Sequence, residues 1–111
     1  MILTTTDAIA GKNLEHLGLA RGSTVQTRNI GRDITQQLKS LVGGELHAYT
    51  EMMNNARALA TKRMTEQAQQ MGADAIVCIR YSSSSIMQGS VEIIAYGTAV
   101  CFAPTPPDPT D

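Results

Sequence analysis

Apolar and polar positions change their spacing several times along the chain, and each change predicts an element. Ile2-Leu3-Thr4-Thr5 and Ser23-Thr24-Val25-Gln26-Thr27 are rich in aliphatic and β-branched residues and are separated by turn-prone Gly11, Gly18 and Gly22. Residues 2 to 28 therefore predict two strands, or one long bulged strand. From Asn29 the spacing becomes helical, with Ile30, Ile34, Leu38, Leu41 and Val42 on one face, Asp33 in the first turn and Gly43-Gly44 as a left-handed stop. This is a short amphipathic helix. Tyr49, Met52, Met53, Ala56, Leu59, Ala60, Met64, Ala68 and Met71 then mark one face of a second, long helix, with His47, Glu51, Asn55, Lys62, Glu66 and Gln69 on the other. Alanine and unbranched methionine on the inner face suit close approach to a sheet.

Gly72 ends that helix, and the chain turns at once into Ala75-Ile76-Val77-Cys78-Ile79. Residues 75 to 81 and 91 to 102 predict two strands, joined by a loop holding Ser82-Ser83-Ser84-Ser85 and Gln88-Gly89 and turning near Ile86 and Met87. Along the last strand Val91, Ile93 and Ala95 alternate with Ile94, Tyr96 and Val100, so both faces are apolar and both need cover. Two helices in a chain this short cover one face well, which leaves the other to a second copy of the chain. The Pro-rich run over 104–111 has little to bury and is expected to lie outside the folded unit as a disordered tail, leaving residues 1–103 as one domain.

Composition narrows the partners without naming one. A chain of 111 residues with a formal charge of −1 has no clustered Lys and Arg for nucleic acid or an anionic membrane. No run approaches the roughly 20 apolar residues of a membrane span, and the first residues carry no signal-peptide pattern, so a cytoplasmic protein is expected. With one Phe and no Trp, a single core would be lean, and burial between subunits would supplement it.

Candidate chemistry is sparse. Cys78 and Cys101 are the thiols, and soft cations prefer thiolates. A simple hairpin turning at Ile86 and Met87 would set Cys78 opposite Ala95 and leave Cys101 roughly 20 Å from it at strand rise. One protomer would not unite them, although several copies around a symmetry axis could. His47 and Glu51, four apart on the long helix, share a face and could share a metal ion. Asp33 in the short helix and Arg57 on the long one could form a structural ion pair, with Arg32 or Arg57 as an alternative anion holder. His16 has no ligand partner by spacing and reads as a surface residue. No phosphate loop, nucleophile elbow, Cys-x-x-Cys pair or buried carboxylate pair is present, so no catalytic residue and no enzyme activity is assigned. A soft divalent metal ion is the one cofactor the residue types admit.

Asn29-Ile30-Gly31-Arg32-Asp33, Val42-Gly43-Gly44, Tyr49, Ala56-Arg57, Gly72-Ala73-Asp74-Ala75-Ile76-Val77 and Tyr96-Gly97-Thr98-Ala99-Val100 follow in an order and spacing that resemble the YbjQ-like family, a group of small prokaryotic proteins labelled "putative heavy-metal-binding". The resemblance spans residues 2 to 102. It implies an α+β fold, dodecin-like, in which a small antiparallel sheet wraps on the long helix, and it implies a homopentameric ring. The family pattern leads one to expect a small residue such as Gly after Val77, where this chain has Cys78. Taken with the residues, the resemblance implies an oligomer that holds a soft metal ion or another thiophilic ligand between subunits. An oligomeric interaction scaffold without a small ligand is the alternative, and an inter-subunit enzyme site using Arg32, Arg57 or Tyr49 has the least support.

Overall fold

The computed structural model describes residues 1–27, 44–87 and 90–104, and within them the side chains of all but residues 27 and 44–49. They form β1 (Ile2–Leu3), β2 (Asn13–Thr27), α1 (Gly44–Gln70), β3 (Ala75–Met87) and β4 (Ser90–Ala103), with the four strands in one sheet of order β1-β3-β4-β2. The class is α+β, as expected. The predicted short helix over residues 30 to 42, the turn residues Gln88 and Gly89, and the tail from residue 105 onward lie outside the described residues.

The sheet is mixed, which corrects the all-antiparallel expectation. β3 and β2 both run antiparallel to β4, but β1 pairs parallel with β3 through Ile2↔Ala75 and Leu3↔Ile76. Its continuation keeps to the same edge: the Thr4 N–H donates to the Ile76 carbonyl, and the Cys78 and Ile79 N–H groups donate to the Thr6 and Thr4 carbonyls. The N-terminal segment thus satisfies the backbone beside the most deeply buried part of β3, where unpaired polar groups would be costly.

The expected strand material over residues 2 to 28 is present as β1 and a long bulged β2, but two details change. Residues 13–27 are one long strand, with Ser23–Thr27 as its second half and a bulge between His16 and Gly18. Gly18 and Gly22 therefore lie inside a strand and are not turns. Ser82–Ser85 are strand as well: each pairs with β4, from Ser82↔Ile94 to Ser85↔Val91, and the last pair before the turn is Met87↔Ser90. Serine is a weak strand former, but the aliphatic run of β4 continues beside it and its ladder carries the serines along.

The helix packs on one face of this sheet. Ala56, Ala60, Met64 and Ala68 meet Ala20, Ile76, Ile79, Ile93, Ala95 and Ala99 in one buried cluster. The approach is close because it has to be: a Cβ on Gly22 would collide with the backbone of Ala60 and Met64. The helix ends in a Schellman arrangement about Gly72 (φ 83°), in which the Ala73 N–H bonds the Ala68 carbonyl and the Gly72 N–H bonds the Gln69 carbonyl. Asp74 then fastens the exit, its N–H to the Val100 carbonyl at 2.8 Å and its carboxylate accepting the Phe102 N–H at 2.8 Å.

Among the described residues, the opposite face is covered only at one end. There Ala75, Val77 and Val100 are buried with Ile9, Leu14, Cys78 and Phe102 against them. Farther along, Leu19, Val25, Ile86 and Met87 are 62, 54, 51 and 64% exposed. The Cα radius of gyration is 19.1 Å, against about 13 Å for a compact chain of this length.

Candidate functional site

Cys78 sits at a bulge. The register of β3 and β4 shifts between Val77↔Thr98 and Arg80↔Tyr96, so Cys78 and Ile79 together oppose Gly97. This corrects the expected partner, Ala95. The extra residue takes a left-handed backbone, φ 56°, the only positive φ of a non-glycine among the described residues. Glycine is the residue that adopts such a φ without a steric penalty, which accounts physically for the small residue expected here. The thiol of Cys78 packs, half-buried, against the smaller apolar cluster.

Cys101 lies on the other side of the sheet. It pairs with Glu15 across β4 and β2, and its Sγ is 3.8 Å from Glu15 Oε2. Partial burial and the neighbouring Glu15 carboxylate push its thiol above the usual 9.0, with Asp74 adding to the rise. The site therefore disfavours the thiolate that a soft metal needs. Cys101 is four residues beyond Gly97 on β4, about 13 Å along the strand from the position facing Cys78. The two thiols are thus separated both along the sheet and across it.

The remaining candidates are not drawn together either. Glu51 is exposed on α1, and the side chain of His47 lies outside the described residues. Among the described residues no group of three or more His, Cys, Asp and Glu could hold a metal ion. Asp33 is outside the described residues, and Arg57 turns its guanidinium to Asn54 Oδ1 on its own helix. His16 is exposed on β2, as expected of a surface residue.

Sequence reasoning missed the residues that finish the sheet edges. Along β2 the Arg21 N–H donates to Gln67 Oε1 at 2.6 Å, and the Ser23 carbonyl accepts from Arg63 Nη1 at 2.7 Å. Two helix side chains thus cap the middle of that edge. Along β3 the Arg80 guanidinium donates to the Thr5 and Ile79 carbonyls and closes the end of the β1 pairing. Tyr81 reaches the helix through a 2.8 Å contact between its hydroxyl and that of Thr61. The polar face of α1 carried Arg63 and Gln67 in plain view, but their targets became visible only once β2 ran through Arg21 and Ser23.

The comparisons agree with this fold. A crystal structure of a protein of unknown function from Pediococcus pentosaceus, assigned to the DUF74 family, superposes with a TM-score of 0.62 over 93% of this chain and 98% of that chain, at 13% identity. A UPF0145 protein of Clostridium novyi is 58% identical over 90% of this chain and 97% of its own length. Relatives from Vibrio parahaemolyticus and Methanosarcina acetivorans, also UPF0145 proteins, are 57% and 54% identical over 90% of this chain and 96% and 95% of theirs. The model of the YbjQ family, described as "Putative heavy-metal-binding", matches residues 1–103, and the chain belongs to that family.

Proposed function

We propose that this protein works in the cytoplasm as a homo-oligomer, a pentameric ring, that holds a soft metal ion or another thiophilic ligand where its copies meet. The observation that carries the reading is the half-covered sheet: Leu19, Val25, Ile86 and Met87 stand open on a chain whose core is built largely of alanine, valine and isoleucine. Large aliphatic side chains left exposed on a sheet face favour a surface that another molecule covers. The ligand part of the reading follows from chemistry. One protomer offers two thiols on opposite sides of its sheet, so a site with several soft donors needs the same cysteine from several copies. Cys78 is the better donor of the two, because partial burial, with the Glu15 carboxylate beside it, opposes ionisation of Cys101. Glu51 and His47, four apart on α1, are the oxygen and nitrogen ligands that neighbouring copies would add.

Cadmium titration followed by native mass spectrometry tests the ligand. The expected result is uptake by the assembled form with fewer ions than chains, lost in Cys78→Ser and kept in Cys101→Ser. Full uptake by Cys78→Ser would remove Cys78 from the site. An assembled form that takes up no cadmium would leave the scaffold reading, a ring that presents its polar helix faces to a protein.

A further inference from the structure

The two edges of the sheet differ, and the difference assigns them to each other. Strand geometry alternates, so a residue directs its N–H and C=O to one side and the next residue directs them to the other. The Ile79 N–H and C=O point away from β4, to Thr4 and to the Arg80 guanidinium. Tyr81, Ser83 and Ser85 follow the same parity, so each presents a donor and an acceptor on the open side of β3, where no described residue meets them. This edge, residues 81 to 87, is long and carries no charged side chain and no proline. Such an edge is the kind that pairs with any available strand, and stable proteins cover it.

On β2 the parity set by Arg21 and Ser23 continues, across the bulge, to Leu19, His16 and Leu14. Arg21 and Ser23 are capped by Gln67 and Arg63, and among the described residues nothing caps 14 to 19, the remaining part of that edge, with Leu17 and Leu19 exposed beside it. Among the described residues, each side of the sheet thus has one open segment, seven residues on β3 and six on β2. Pairing β3 with β3 of a second copy would cover one kind of edge and leave the other bare. Pairing β3 of one copy with β2 of the next covers both, and repeated head-to-tail contacts of this kind close into a ring.

We infer that residues 81 to 87 of β3 add to residues 14 to 19 of β2 in a neighbouring copy, so that the sheets run on from subunit to subunit. The inference rests on the homo-oligomer reading and specifies its interface. It brings Tyr81, Ile86 and Met87 of one copy against Leu17 and Leu19 of the next, and an uncharged β3 segment sets no like charge against Glu15 or Arg21.

Hydrogen exchange on the unmodified protein tests it first. The Tyr81, Ser83 and Ser85 amides are expected to exchange more than about a hundredfold slower than free amides, like the ladder-bonded Ser82 and Ser84 beside them. Rapid exchange at those three, in a protein that light scattering shows to be oligomeric, would overturn the edge assignment and leave the oligomer standing. A monomer by light scattering would remove the reading underneath it. Cross-linking then identifies the partner edge. In a Cys78→Gly, Cys101→Ser background, Glu15→Cys and Ser83→Cys, which share the helix-side face of the sheet, together should give a ladder of covalent multimers with a short bismaleimide, and neither alone should. Dimers that form from Ser83→Cys alone and stop there would show β3 pairing with itself and overturn the proposal.

Discussion

Cys78 shows how much one residue's backbone decides. A left-handed φ costs a non-glycine residue roughly 1 to 2 kcal/mol, which the Cys78 and Ile79 N–H bonds to the N-terminal segment offset by fixing the bulge. Cys78→Gly relieves that cost but adds freedom to the unfolded chain and removes a half-buried thiol, so its stability is expected within about 1 kcal/mol of the parent. Cys78→Val, which places a β-branched side chain on the same φ, is expected to lose about 1 to 3 kcal/mol. Urea midpoints at one protein concentration separate the two, and equal stability of Val and Gly would mean that the bulge relaxes without strain. Cys101 gives a pH signature. Its folded-state proton affinity is raised, so the stability it contributes is full below pH 9.0 and falls as pH climbs through the higher folded value. Its alkylation by iodoacetamide should accordingly lag that of a free thiol, and Glu15→Gln should shift the profile toward lower pH. An unchanged profile would mean that Glu15 does not govern the thiol.

Elements are placed by small residues that permit close contact. The crossing of α1 over β2 depends on Gly22, where any side chain meets helix backbone, and backbone yields less readily than the end of a side chain. Gly22→Ala is expected to cost about 1 to 3 kcal/mol by overpacking, read as a fall in melting temperature. A melting temperature unchanged by Gly22→Ala would place the helix farther from the sheet than described. The long helix, its alanine and methionine inner face, its stop at Gly72 and the two final strands were legible in the sequence, because period and capping are local signals. The serine strand was not, since Ser82–Ser85 take their conformation from β4, ten or so residues away. The parallel pairing of β1 was hidden for the same reason: a two-residue strand has no period of its own. In the same way the thiols could be nominated as soft donors from residue type alone, but the bulge that moves Cys78 opposite Gly97 and the Glu15 contact of Cys101 arise only from pairing.

At the scale of the whole molecule the protomer is extended and asymmetrically covered. Among the described residues, one face of its sheet is closed by α1, the other is closed only where the N-terminal segment and Phe102 lie, and two strand edges remain partly open. A small chain with a core of mostly short side chains gains most by burying that remainder against copies of itself. The central claim is that association, and it is tested most directly by light scattering of the eluting protein at micromolar concentration in neutral buffer. The account predicts a single species of five 11.9 kDa chains. A compact species of one chain would contradict it.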